Sequence, residues 1–236
     1  MLYYSEHNLL FFDILKNGST GFRKLFELVL GKEDGFLQYH QHDNSLFFIT
    51  PPVLYATVVR NPYERLLTQF YHVNKKQLWT TFRYTVHYPF FRKWAKEFCS
   101  NEYKENDGHL YTQTQFLKFY ENPLEYKIFK IEKLFAHELF FFLDLTAAQK
   151  AQIDNEYSKI IKELQGNLHH ATNSIKQGTW QSYYDAETIE MCNKYYKCDF
   201  KAFDYEIIKP EEFEQKSFHS SQEGWLTTSD NKLRLI

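Results

Sequence analysis

Cysteine is scarce. Cys99, Cys192 and Cys198 are the only three in 236 residues, and no two form a C-x-x-C pair. An odd count without that spacing argues against a disulfide framework and against a thiolate zinc site. A reducing compartment is the simplest reading. Charge of either sign is not in excess: the formal net charge is −2. A protein that binds nucleic acid over its whole surface is more basic than this, so any anion site must be local. Long apolar runs are also missing. The richest later stretch, Leu134 to Leu145, is interrupted by His137, Glu138 and Asp144, too short and too polar to span a bilayer. The N-terminus has no basic segment, and Asp13 breaks its apolar run, so it does not read as a secretory signal. The expectation is a cytoplasmic protein without a membrane anchor, with Met1 as a native start. No repeat or low-complexity tract occurs.

What is abundant is material for a core. Apolar residues make up 43% of the chain, with 23 Phe and 18 Tyr, enough for one large domain. Residues 8–15 read as a buried strand. From Thr20 to Leu30 the apolar positions Phe22, Leu25, Phe26, Val29 and Leu30 share one helical face, and Gly31 is placed to end it. "LYATVV" (54–59) is a second strand. In "RNPYERLLTQFYH", Asn61 is a good N-cap, Pro62 takes the first helical position, and Glu64 is set to complete a capping box. Residues 89–98 are expected to be helical, 126–131 a third strand, and 132–143, 147–165 and 186–197 further helices. Strands alternating with helices imply an α/β architecture with a mostly parallel sheet. The expected domain covers residues 1–208, followed by a polar tail from 209 to 236.

Two corners carry the candidate chemistry. In "DILKNGSTGFRKLF" a strand runs into a small-residue loop that opens a helix. Such a loop offers free backbone N–H groups at a helix N-terminus, which attract anions. Lys16 adds a charge, Gly18 allows close approach, and Ser19 and Thr20 add hydroxyls; Asn17 and Arg23 complete the set. The lysine precedes the loop, so this is not a Walker A sequence. An ordinary strand-to-helix turn with a surface lysine would look similar. At the second corner, Arg60 ends a strand and Thr68 lies two turns into the next helix. Ligands of open α/β sheets bind at the carboxyl ends of strands, and arginine binds phosphate through charge-assisted bonds. The plain alternative is a salt bridge from Arg60 or Arg65 to Glu64.

Together the corners resemble the carbohydrate sulfotransferases that use 3′-phosphoadenosine-5′-phosphosulfate (PAPS). "LKNGSTGFRKLF" is similar to that family's 5′-phosphosulfate loop, and "VVRNPYERLLTQFYH" to its 3′-phosphate motif, V-R-D-P-x-E-R-L-x-S. Asn61 stands where the motif has Asp, and Thr68 where it has Ser. "YKIFKIEKL" and "WQSYYDAETIEMCNKYYKCDFKAFDYE" are similar to later family segments, so the likeness runs from residue 8 to about 206. It implies an α/β/α sandwich of three layers, related to P-loop kinases, and sulfuryl transfer from PAPS to a carbohydrate hydroxyl. It places Lys16 near the leaving phosphate. "YHQHD" resembles the Tyr-His-Gly-His segment of the uronosyl 2-O-sulfotransferase branch, which implies His42 as base with His40 as support or alternative. Read by themselves, the two histidines also suit a polar loop with both solvated; a metal pair fits less well, for want of a third ligand, and no metal is expected. The likeness also implies that Asn173, Ser174 and Lys176 touch the nucleotide. "WTTFRYTVHYPFFRKW" could offer rings and cations to an acceptor, and "HLYTQTQFL" is similar to a stretch near the acceptor cleft. The alternatives are a P-loop-type kinase and a non-catalytic binder of an anionic nucleotide or sugar.

Overall fold

The computed structural model describes residues 2–31, 35–36, 54–74, 88–100, 110–118, 126–167 and 180–213. His40, His42, Asn173, Ser174 and Lys176 lie outside the described residues, as do residues 214–236.

A five-stranded sheet organises the chain. Its strands are β1 (Leu2–Tyr4), β2 (Leu9–Phe12), β3 (Gly35–Phe36), β4 (Leu54–Val59) and β5 (Tyr126–Lys130), in the order β3-β1-β2-β4-β5. β2, β4 and β5 are parallel, with Phe11 beside Ala56 and Val58 beside Phe129. β1 runs the other way and pairs antiparallel with both β2 and β3. The expected strand over 8–15 is therefore a hairpin arm. The chain reverses through a 3-10 turn at Ser5–His7 and Asn8 in the left-handed region, φ 48°, a conformation asparagine tolerates better than most residues.

Both faces of β2 are buried, which its unbroken apolar run requires. Leu9, Phe11, Ala56, Val58 and Phe129 face one layer, built from α1 (Ser19–Leu30), the 3-10 segment Ala136–Phe140 and Ile153 of α5 (Ala147–Asn167). Helix α1 buries Phe22, Leu25 and Phe26 as its period dictates, and it ends at Gly31. Leu10, Phe12, Thr57 and Val59 are buried on the opposite face. A second core joins α2 (Pro62–Val73), α3 (Tyr88–Cys99), α6 (Ala186–Tyr195) and the 3-10 turn Trp180–Tyr183. The Tyr63 and Trp180 rings stack there at 4.8 Å. Phe213 is also buried in this core, so packing continues past residue 208.

Two local expectations are corrected. Residues 132–143 do not form one helix; they make 3-10 turns at Ile131–Lys133 and Ala136–Phe140. Ala136, Leu139 and Phe140 keep helical spacing and are buried, but Leu134 and Phe135 are extended, ψ 122° and 131°, and break the run where the chain turns from the sheet edge. The capping box at α2 is not made either. Asn61 caps as expected, its side chain accepting from the Tyr63 N–H at 2.9 Å. The Asn61 N–H, however, donates to Glu132 Oε1 at 2.5 Å, while Glu64 turns to Arg60. A carboxylate 71 residues away outcompetes the local one because β5 ends beside α2.

Candidate functional site

The carboxyl ends of β2, β4 and β5 meet at one edge of the sheet. After β2, Asp13 accepts from Arg23 Nε at 2.7 Å and ties the loop to the first turns of α1. Lys16 and Gly18 both adopt positive φ, 72° and 87°. Gly18 is the N-cap of α1, and its carbonyl accepts from the Gly21 and Phe22 N–H groups. The Ser19 and Thr20 N–H groups, at the start of the helix, meet no backbone acceptor among the described residues. They form the free end that the sequence implied.

Gly18 also sits under a tight ceiling. A Cβ there would lie 3.1 Å from Ile131 Cδ1 and 3.2 Å from Phe22 Cε2. Gly18→Ala is expected to cost roughly 1–3 kcal/mol, from left-handed strain plus crowding. Urea unfolding will show it as a lower midpoint at unchanged slope.

The loop is fastened to the second corner through two amides. Asn17, 2% exposed, donates from Nδ2 to the Val58 carbonyl and to Gln113 Oε1, both at 2.8 Å. The same Gln113 oxygen accepts from the Arg60 N–H at 2.8 Å, and Gln113 Nε2 donates back to the Arg60 carbonyl at 2.9 Å. Gln113 opens α4 (Gln113–Lys118) and is fully buried. Its helix start is held by Asp199 of α7 (Lys197–Ala202). Asp199 accepts from the Gln113 N–H, the Thr114 N–H and the Thr114 hydroxyl at 2.7–2.8 Å.

The candidates among the described residues have definite placements. Lys16, Gly18 and Ser19 are half-buried, Thr20 is exposed, and Asn17 is committed to the latch. Arg23 is paired with Asp13. The Arg60 guanidinium reaches Glu64 at 3.2 Å, the salt bridge foreseen as the plain alternative. That pair is partly exposed and spaced i,i+4, a geometry worth a few tenths of a kcal/mol. Little holds the Arg60 guanidinium to Glu64 alone. Thr68 donates its hydroxyl to the Glu64 carbonyl one turn back.

Four neighbours were not foreseen as site residues. Gln113 and Asp199 build the latch. Glu132 bridges the Asn61 N–H and the Tyr205 hydroxyl, which donates to Oε2 at 2.9 Å. Burial raises the Tyr205 pKa, and the Glu132 carboxylate adds to the shift. Arg65 is fully buried with Nη2 donating to the Leu15 carbonyl at 3.2 Å, directly beneath the loop. Burial lowers its pKa while Tyr196 and Asp199 oppose the shift, and a guanidinium remains charged under such conditions. Asp199 and Gln113 stand inside stretches quoted for the family likeness, but their contacts span 53 to 96 positions and leave no local signature.

A model of the sulfotransferase family matches residues 1–206. The chain belongs to the sulfotransferase family. Its mostly parallel sheet with helices is the α/β fold of that family, and its reaction class is sulfuryl transfer. No curated protein and no solved structure matches the chain. No helix among the described residues is long and apolar enough to cross a membrane, and no group of three or more His, Cys, Asp or Glu side chains among them could hold a metal ion.

Proposed function

We propose that this sulfotransferase uses PAPS and delivers the sulfuryl group to a carbohydrate hydroxyl, with His42 as the base and His40 as its support or alternative. The observation that carries the donor part is the latch. Asn17 beside Lys16 and the backbone of Arg60 share one Gln113 oxygen, so the two anion-binding corners belong to one surface. The residues suit such a donor: free N–H groups at Ser19 and Thr20, a left-handed turn at Gly18 that opens the helix, and cations at Lys16 and Arg60.

In this reading the Gly18–Thr20 turn and Lys16 hold the 5′ end of the donor, and Lys16 offsets charge that builds on the leaving phosphate. Arg60 leaves Glu64 to bind the 3′-phosphate. Thr68 donates to the same phosphate once its hydroxyl turns from the Glu64 carbonyl. Asn17 and Arg23 act by fixing the loop through Gln113 and Asp13 rather than by touching the nucleotide. Asn173, Ser174 and Lys176 are proposed to cover the nucleotide. When bound, the donor supplies an activated sulfuryl group; the chain supplies orientation, charge and a proton acceptor. A neutral histidine near its ordinary pKa of about 6.5 suits the last task.

The test is calorimetry with the desulfated nucleotide, 3′-phosphoadenosine-5′-phosphate, against ATP. Tight binding of the first and weak binding of ATP support the reading; ATP preference reverses it in favour of a kinase. Arg60→Ala is expected to weaken the desulfated nucleotide tenfold or more, about one charged hydrogen bond. Unchanged affinity in that variant would remove Arg60 from the site.

A further inference from the structure

Helix α5 brings an aromatic ring to the donor corner. Tyr157 stacks on Phe22, with ring centres 5.9 Å apart and planes 11° from parallel. Phe22 lies in the first turn of α1, is fully buried, and meets the Phe11 ring on another side at 6.2 Å. Its edge also borders the loop: a Cβ at Gly18 would lie 3.2 Å from Phe22 Cε2. The Tyr157 ring is thus fixed one side chain away from the Gly18 turn. Its hydroxyl differs from the others at this edge of the sheet. Thr68 donates to the Glu64 carbonyl, and Tyr205 donates to Glu132 Oε2. The Tyr157 hydroxyl has no hydrogen-bond partner among the described residues, although the residue is half-buried. A tyrosine packed by its ring normally finds a partner for its O–H. Burial raises the Tyr157 pKa, and the nearby Arg60 guanidinium partly opposes that shift. The phenol therefore keeps its proton at neutral pH and stands within the field of the Arg60 charge.

We infer that the Tyr157 hydroxyl donates to the same phosphate monoester as Arg60, so that it helps the site select a nucleotide carrying a 3′-phosphate over one without it. The inference rests on the donor reading above. Arg60 comes from the end of β4 and Tyr157 from α5, so the phosphate is gripped from the sheet and from the helical layer together. The stack on Phe22 fixes the ring before the ligand arrives, and little side-chain freedom remains to be lost on binding. A protonated phenol beside a guanidinium adds a donor without adding a second charge. Its share of the affinity is therefore less sensitive to salt than that of Arg60. The Gly18 turn, the other neighbour of this ring pair, already offers the Ser19 and Thr20 N–H groups to the 5′ end.

The test is calorimetry on the full chain with two nucleotides, 3′-phosphoadenosine-5′-phosphate and adenosine 5′-phosphate, which lacks the 3′ group. Tyr157→Phe keeps the ring and its stack and removes only the oxygen. The variant is expected to lose about tenfold in affinity for the first nucleotide, one hydrogen bond to a charged group. Its affinity for the second and its urea midpoint are expected to match the wild type. Equal loss toward both nucleotides overturns the inference, because the hydroxyl would then serve the adenosine or the 5′ end. A lowered urea midpoint overturns it too, since the hydroxyl would then bond within the protein. If the wild type prefers the 3′-phosphorylated nucleotide and Tyr157→Phe keeps that preference in full, Tyr157 leaves the site and the donor reading stands. If the wild type binds the two nucleotides equally, the 3′-phosphate reading itself fails and the role of Tyr157 fails with it.

Discussion

Asp199→Ala is expected to destabilise the fold by about 3 kcal/mol or more. The carboxylate is fully buried and accepts from the Gln113 N–H, the Thr114 N–H and the Thr114 hydroxyl. Alanine leaves all three donors without water or partner, and each such loss costs about 1–3 kcal/mol. Asparagine is not a rescue. One of its two positions becomes an NH2 group that faces existing donors on either side of the carboxylate. Glutamate is too long for a site in which both oxygens are already placed. Urea unfolding at pH 7 checks the size of the loss, and a change below about 0.5 kcal/mol would refute the capping role. The same substitution frees the start of α4, so Gln113 loses its position between Asn17 and Arg60. Nucleotide affinity is therefore expected to fall in Asp199→Ala although the residue touches no ligand. Gln113→Ala, which removes the latch and keeps the cap, is the control that separates the two effects.

The second large effect is kinetic. His42→Ala is expected to lower the rate of sulfuryl transfer by about 10²–10⁴-fold, the contribution of a positioned base. Affinity for the desulfated nucleotide is expected to stay within about twofold, since the proposed role is toward the acceptor hydroxyl. His40→Ala should have the smaller effect on rate if it only orients its neighbour; the reverse order would exchange the two roles. Single-turnover transfer from labelled PAPS to a panel of glycans reads the rate, and calorimetry reads the affinity. Full transfer activity in both single variants and in the double variant would remove histidine as the base without touching the donor site.

The ease with which parts of the fold were read from the chain differs for physical reasons. Helix α2 was legible because its start signal is local: Asn61 and Pro62 act on the first turn they begin, and the structure keeps both. The α1 corner was legible because Gly18 and the apolar period of Phe22, Leu25 and Phe26 are adjacent in sequence. β4 was legible because β-branched residues crowd six consecutive positions. The segment after β5 misled because Phe140, Phe141 and Phe142 satisfy a helix and an irregular apolar wedge equally well; the space between sheet and α5 selected the wedge. β1 and β3 are too short to carry a pattern of their own and exist through pairing. Glu64 misled because its partner could only be decided once Glu132 arrived at the Asn61 N–H.

By itself the sequence determined the class of architecture, the two strand-to-helix corners that carry Lys16 and Arg60, and the start of the helix that follows each. Those properties depend on neighbours within a few residues, where chain connectivity enforces contact. The tertiary structure alone decided that Asn17 and Arg60 converge on Gln113, that Asp199 holds Gln113 in place, and that Glu132 takes the Asn61 N–H. Those contacts join groups far apart along the chain. They form only when the folded sheet brings its strand ends together and buries the polar groups that must then find one another.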